Sequence, residues 1–576
     1  MENREEKKMC QNCKKDFVIG QEDFNFYEKI KVPPPTFCPR CRLARKLIWR
    51  NERTLHKRPC DLCKKNIISM HRPSASFPVY CHDCWWSDKW DSSDYGVDYN
   101  FDVSFFEQFK ELQKTVPRLA LNATKNINSE YCNYTAHMKG CYLLFGSWFS
   151  ENCGYGQTVM ESKDCWDCLF VRNCELCFAS TDCTKCNQVF FSQKCTGCID
   201  SAFLYDCRNC QNCLFSYNLR SKNYHVFNKQ VSREEFDKIK QEIFSSRFSL
   251  EKAKTDFKKL VQEKAIHKFM TGERNNNVSG EFISGSKNVH ESYYIDNGEN
   301  EKYAVRGGVG QKDSMDVYGV HSGELAYECN NIDFSSRCFF SINGENNMNS
   351  RYLVDCDHVN NSFGNISLRK KEYCILNKQY SKEKYEDLLP KIIKHMGDMP
   401  YKNHIGISYG YGEFFPEELA TFFYNETVAQ EYIPLDEQKA KEFGYLWNSV
   451  EEKEYTSTKN WKDLPSTIRE VDDSILSEII LCEAWDTDKQ LAQNHKCTKA
   501  FKITQNELNM YRRWNIPLPT KCSNTRYYEM FTERNSINFW HRKCMKQGCN
   551  NEFETSYAPD RPEIVYCERC YQQEVY

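Results

Sequence analysis

Between residues 125 and 231 the chain sustains no long apolar run; short apolar pieces sit between Asn, Gly and Ser, and they recur. Cys132, Cys153, Cys174 and Cys195 recur at a constant step of 21, Cys165, Cys186 and Cys207 repeat at 21, and so do Cys177 and Cys198. Written in rows of 21, one column reads Phe149, Phe170, Phe191 and then Asn212. A fixed period of about 20 in such sequence predicts a β-solenoid, one row per coil, with like residues in ladders about 4.8 Å apart.

The pattern comes twice. With a shift of 149, Leu219-Arg220, Lys222, Tyr224 and Asn228-Lys229-Gln230 match Leu368-Arg369, Lys371, Tyr373 and Asn377-Lys378-Gln379. Residues 275–380 therefore read as a second solenoid segment, in which Cys329, Cys338, Cys356 and Cys374 are the remaining cysteines. Because the sister segment does without most of them, the cysteines of the first read as small buried filler. The alternative is metal or iron–sulfur binding by the pairs 165/168, 174/177, 183/186, 195/198 and 207/210.

After each segment the periodicity turns helical. Ser232, with Glu235 three residues on, makes a capping box that opens a lysine-rich helical segment over 232–272. Its counterpart over 381–396 is shorter and interrupted at Pro390. The expected boundaries are tandem zinc ribbons at 1–90, a linker or helical segment at 91–124, solenoid segments at 125–231 and 275–380, a helical then acidic and aromatic region at 381–480, and a second ribbon module at 481–576. The expected fold class is mainly β with some α: a central duplicated β-solenoid, right-handed and β-helix-like with about 21 residues per coil, capped at both ends by zinc-ribbon modules.

The ends are read from cysteine spacing. Cys10 and Cys13 pair with Cys38 and Cys41, and Cys60 and Cys63 with Cys81 and Cys84. Each Cys-x-x-Cys turn offers two thiolates at the bite a tetrahedral Zn²⁺ takes. Shifted by 484, Phe17, Ile19, Tyr27, Pro33, Thr36, Cys38, Arg50 and Cys60 fall on Phe501, Ile503, Tyr511, Pro517, Thr520, Cys522, Arg534 and Cys544. After a two-residue insertion, Cys63, Tyr80, Cys81 and Cys84 fall on Cys549, Tyr566, Cys567 and Cys570. One two-ribbon module thus stands at both ends. In the later copy Cys13 and Cys38 persist as Cys497 and Cys522, but Asn494 replaces Cys10 and Thr525 replaces Cys41. Three Zn²⁺ sites are expected, and the fourth either lacks metal or recruits His495 and Cys482.

There are 33 cysteines in 576 residues, many in Cys-x-x-Cys pairs, and the opening "MENREEKK" has no apolar stretch of a secretory signal. Reduced thiols in a cytoplasm are the expectation, with no membrane partner, since no apolar run approaches a span. Net charge is −2, so the whole chain gives no argument for a polyanion partner. Residues 1–90, however, carry 19 Lys and Arg against 11 Asp and Glu. Arg40, Arg42, Arg45, Lys46, Arg50, Arg53, Lys57 and Arg58 face one acid, Glu52, with Trp49 among them and Tyr27 and Phe37 near. Guanidinium groups with aromatics on a zinc knuckle suit phosphate contact and base stacking, so RNA or single-stranded nucleic acid is the expected partner. Residues 398–480 hold 17 Asp and Glu against 7 Lys and Arg, and offer either a solvated acidic face or a docking site for a basic partner, the basic module of the same chain included.

Catalytic patterns are missing. "VRGGVGQ" at 305–311 lacks the lysine of a phosphate loop, and no GxSxG or HExxH occurs. No catalytic residue is assigned; a protein-interaction scaffold and, behind it, a β-helix carbohydrate-active enzyme are the alternative readings. The stretches "FNFYEKIKVPPPTFCPRCRLARKLIWRNERTLHKRPCDLC", "GEFFPEELATFFYNET" and "FETSYAPDRPEIVYCERCYQQEVY" resemble a family of zinc-ribbon proteins of candidate phyla radiation bacteria. That resemblance implies bound zinc and a bacterial cytoplasm, and no particular activity.

Overall fold

Every third residue from 125 to 227 has a left-handed backbone, with φ between +45° and +66°. A computed structural model describes residues 4–449 and 456–576. A side chain in this region ordinarily costs about 1–2 kcal/mol. Here, beyond the first row, left-handed residues gain a ladder bond: the amide donates to a carbonyl of the preceding parallel strand, as His137 does to Thr124 and Asn152 to Lys139. The chain is therefore folded in triplets. One residue of each triplet bridges to neighbouring strands, one is left-handed, and one is buried.

The buried position explains the cysteines. Every residue whose number is a multiple of three is buried from Cys132 to Ser216, and all the cysteines of this stretch stand at such numbers. The amide of a residue at this position lies outside the ladder. Where a Ser or Cys stands 12 residues back, its side chain can accept this amide: Ser162 donates to Ser150 Oγ at 3.3 Å, Cys174 to Ser162 Oγ at 3.1 Å, and Cys165 to Cys153 Sγ at 3.3 Å. The thiols in turn donate to backbone carbonyls, Cys165 to Cys174 and Cys174 to Cys183, both at 3.5 Å. A small side chain that both accepts and donates is what the position selects, which is why Ser and Cys interchange there.

The strand register corrects the period. Asn133 pairs with Phe145, Gln157 with Phe145 and Leu169, and Asn187, Ile199, Gln211 and Asn223 follow one another, all parallel and all in steps of 12, not 21. Cys132, Cys153, Cys174 and Cys195 therefore do not form one ladder. The rows that align are Cys141, Cys153, Cys165 and Cys177, and Cys174, Cys186, Cys198 and Cys210. Nor do Phe149, Phe170 and Phe191 stack; instead Phe191, Phe203, Phe215 and Phe227 do, with centroids 5.1, 4.9 and 5.0 Å apart.

The protein is strand-rich and mixed, with many parallel strands. It divides into two units, each assembled from distant pieces. Unit 1 takes residues 1–121, 270–449 and 537–539. It holds the first cysteine module and an eleven-stranded sheet built from 276 to 379. Unit 2 takes 122–269, 450–536 and 540–576, and holds two five-stranded sheets with the second module. Helices differ from expectation in two places. The stretch 232–272 forms two helices, Arg233–Ile243 and Arg247–Lys264, and then the strand Ile266–Lys268. Helix Lys382–Asp398 continues through Pro390.

The duplication is visible in contacts as well as letters. In unit 1, Arg42 Nε meets Asp316 at 2.8 Å, and in unit 2 Arg526 Nε meets Asp167 at 2.9 Å. Arg50 reaches Asn331 at 2.7 Å, and Arg534 reaches Asp182 at 2.9 Å. Tyr27 packs on Tyr327 at 5.6 Å, and Tyr511 on Phe178 at 6.0 Å. Val79 pairs with Arg118 as Val565 does with His267. Every one of these pairs is related by the shift of 484 (486 past the insertion) in the module and 149 in the strands or the short strand before them.

Candidate metal centres and the basic cluster

Each module is built from knuckles. Between the strands Glu6–Met9 and Asp16–Ile19 the chain turns at Cys10, whose amide donates to Lys15, with Lys14 left-handed at φ 59°. Cys38 then enters helix Pro39–Leu47, whose first residue is a proline that needs no amide partner. The Cys38 amide donates to Cys10 Sγ at 3.3 Å, and the same bond recurs as Cys81 to Cys60 at 3.3 Å and Cys567 to Cys544 at 3.4 Å.

The sulfurs of Cys10, Cys13, Cys38 and Cys41 lie within 4.8 Å of one another, as do those of Cys60, Cys63, Cys81 and Cys84, and of Cys544, Cys549, Cys567 and Cys570. Cys13 and Cys38 approach to 3.6 Å, Cys63 and Cys81 to 3.8 Å, and Cys549 and Cys567 to 3.9 Å. A tetrahedral centre with metal–sulfur bonds of about 2.3 Å sets its sulfurs about 3.8 Å apart. These residues fit a bound metal ion. The thiols of Cys38 and Cys41 pull the Cys10 thiol far below its ordinary range. Burial raises Cys60 and Cys567, but hydrogen bonds outweigh it and bring each down to about 7, chiefly backbone amides such as that of Cys81 for Cys60, and the Cys570 amide with the side chains of Asn551, Cys570 and Cys544 for Cys567.

A fourth group is Cys482, Cys497 and Cys522. The expected pair Cys497 and Cys522, 3.7 Å apart, is joined by Cys482, whereas His495 stacks on Tyr528 at 5.8 Å. Cys482 occupies the place of Cys10. Its amide donates to Lys499 as that of Cys10 does to Lys15, and the Cys522 amide donates to Cys482 Sγ at 3.2 Å. Helices Glu483–Thr487 and Lys489–Asn494 are inserted inside this knuckle, so the substitute ligand lies 12 positions ahead of the aligned Asn494. Thr525 stands where Cys41 stands in the first module, its hydroxyl 3.3 Å from Cys522 Sγ. Thr525→Cys is therefore expected to complete the site and to slow loss of its metal to a competing chelator on the order of tenfold or more. An unchanged chelation rate would show that the three thiols hold no ion.

The basic cluster is placed otherwise than its sequence implied. Arg42, Arg45, Lys46, Trp49, Arg50 and Arg58 are buried, Arg53 is half-buried, and Arg40 and Lys57 are exposed. Arg42 is held by Asp316; Arg45 bridges Glu328 at 3.0 Å and Glu413 at 2.9 Å; Arg50 binds Glu52 at 2.5 Å; Arg58 binds Asp61 at 2.8 Å. Lys46 Nζ lies 3.8 Å from Asp316, and Trp49 packs on Phe415 at 5.3 Å. For Arg42, Arg45 and Lys46 the reason is acids far away in the chain, whereas Arg50 and Arg58 meet acids two and three residues on; these partners place the five charges inside unit 1 and away from an external phosphate. The acidic region supplies two of them, with Glu413 on Arg45 and Glu426 on Arg72 at 2.8 Å.

None of the 33 cysteines forms a disulfide. Among the described residues no helix is long and apolar enough to cross a membrane. No protein-family model and no curated protein matches the chain.

Proposed function

We propose that the chain is a zinc-binding, non-enzymatic protein-interaction scaffold, in which parallel strands wound as β-solenoids, their register stepping by 12, each carry a two-ribbon zinc module. The observation that carries this reading is the repeated clamp, Arg42 on Asp316 and Arg526 on Asp167. The guanidinium groups that looked available for nucleic acid are engaged in holding each module to its own strands. Zinc supplies the modules' rigidity, because thiolate binding and local folding are one process in small ribbons.

Two measurements on the intact, reduced protein test it. Elemental analysis should return about three to four zinc ions per chain. Iron with visible absorption in place of zinc would move the cysteine chemistry elsewhere. In filter binding at low salt, single-stranded RNA should not be retained. Retention that falls steeply with salt would restore nucleic acid as the partner, acting through groups such as Arg40 and Lys57.

A further inference from the structure

In unit 1 a segment of the chain itself fills the space between the strands, helix Phe105–Thr115 and the module. The Thr36 amide and hydroxyl donate to one Glu413 carboxylate oxygen at 2.9 and 2.6 Å, and Arg45 reaches the other at 2.9 Å. The Tyr352 hydroxyl donates to the Glu413 carbonyl at 3.0 Å, and Gln113 to that of Leu419 at 2.9 Å. Phe415 lies against Trp49, Phe109 and Tyr352 at 5.3, 5.0 and 5.6 Å.

In unit 2 the counterpart of this space is a cavity of about 730 Å³. The shifts of 484 and 149 carry every residue just named as gripping the internal segment into its wall. Thr36 and Gln113 persist as Thr520 and Gln262, and Tyr352 becomes Phe203. Arg45, Trp49 and Phe109 become Glu529, Glu533 and Lys258. The segment itself has no counterpart, since helices Arg233–Ile243 and Arg247–Lys264 are joined directly through residues 244–246.

We propose that this cavity binds a short peptide segment of a partner protein, one with a basic side chain where the internal segment carries Glu413. The proposal rests on the scaffold reading of the chain. The two retained polar side chains are those that, in unit 1, hold a carboxylate and a backbone carbonyl of the internal segment, the carbonyl being that of Leu419 at the end of the 3-10 turn Glu417–Leu419, and Phe203 keeps an aromatic surface in the wall. At the place of Arg45 the charge is inverted. Glu529 has Lys521 at 2.6 Å, and Glu533 has Lys258 at 3.4 Å and Gln193 at 2.9 Å. Burial already pushes the Glu533 carboxyl up, and a cationic ligand group relieves that.

The test uses the full zinc-loaded protein and two labelled peptides with the sequence of residues 408–423, one native and one with Glu413→Lys, followed by fluorescence anisotropy. The Glu413→Lys peptide should saturate one site and bind at least about tenfold tighter than the native peptide. Glu529→Arg should reverse that preference. Thr255→Trp, on the exposed side of its helix and corresponding to Phe106, should fill the cavity and abolish binding of both, with metal content and circular dichroism unchanged. No saturable binding by either peptide, or binding that Thr255→Trp leaves intact, overturns the site. Equal affinity for the two peptides overturns the charge assignment. Zinc content and RNA retention, read on the same preparation, decide the scaffold reading separately.

Discussion

Cys41→Ser is expected to remove one metal ion per chain and to loosen the first knuckle pair, at a cost above the about 0.5–3 kcal/mol of an ordinary point substitution. Cys41 lies on helix Pro39–Leu47, which also carries Arg42 and Arg45. Losing the ion therefore frees the helix that clamps the module to its strands. Elemental analysis should fall by about one zinc, and limited proteolysis should open sites within residues 4–50. Cys174→Ser is the control. Cys174 is as buried as Cys41, but it occupies a position that Ser162 and Ser180 fill elsewhere, so its loss should change stability by less than about 1 kcal/mol and release no metal. An unchanged zinc count in the Cys41→Ser protein would remove the ligand assignment.

The second large effect is expected at Arg45. Its partners Glu328 and Glu413 are buried, Glu328 completely, and Arg45→Met leaves Glu413 without its cation and Glu328 with only the more distant Arg42, 3.8 Å away. Breaking a buried pair in this way costs about 3–5 kcal/mol, most of it the penalty of a stranded carboxylate. Unit 2 shows how the conflict is relieved, because Ala179 stands there in the place of Glu328. Arg45→Met combined with Glu328→Ala should thus recover part of the loss, the remainder being due to Glu413. Denaturant unfolding of the single and double variants measures this directly. A single variant that loses less than about 1 kcal/mol would show that the cluster is hydrated and not buried.

Some of this architecture is legible in the letters. The thiol sets at both ends are, because the two cysteines of a knuckle lie within a few residues of each other and their spacing is fixed by the metal. The shifts of 484 and 149 are also legible, since they rest on many identities in register. The register step between strands is not. A spacing of 21 is seven triplets, so it keeps a cysteine in the buried position without returning it to the same row, and identical residues report the triplet rather than the turn. The fate of the arginines is hidden for another reason. Arg42 meets its acid 274 residues away and Arg45 one of its acids 368 residues away, and no local pattern announces such a partner. Of the two substitutes the letters offer at the fourth site, Cys482 joins Cys497 and Cys522 and His495 does not, and the insertion ahead of Cys497 hides which of them takes the place of Cys10.

The triplet backbone also fixes which changes of length the chain can absorb. Adding or removing one full register step between 133 and 216 preserves both the pairing and the buried row, so this part of the protein can grow or shrink by whole rungs. Removing a single residue turns each later cysteine to a bridging or left-handed position. Unit 1 records what such a slip demands. Its register steps by 11 from Asn276 to Lys287 and by 12 from Gly280 to Ser292, and Gly280, at φ 146°, stands at the change; a Cβ there would lie 2.0 Å from the Ser292 carbonyl. Glycine absorbs the slip where another residue would collide, so length variants of this protein should either come in multiples of twelve or carry a new glycine at the point of change.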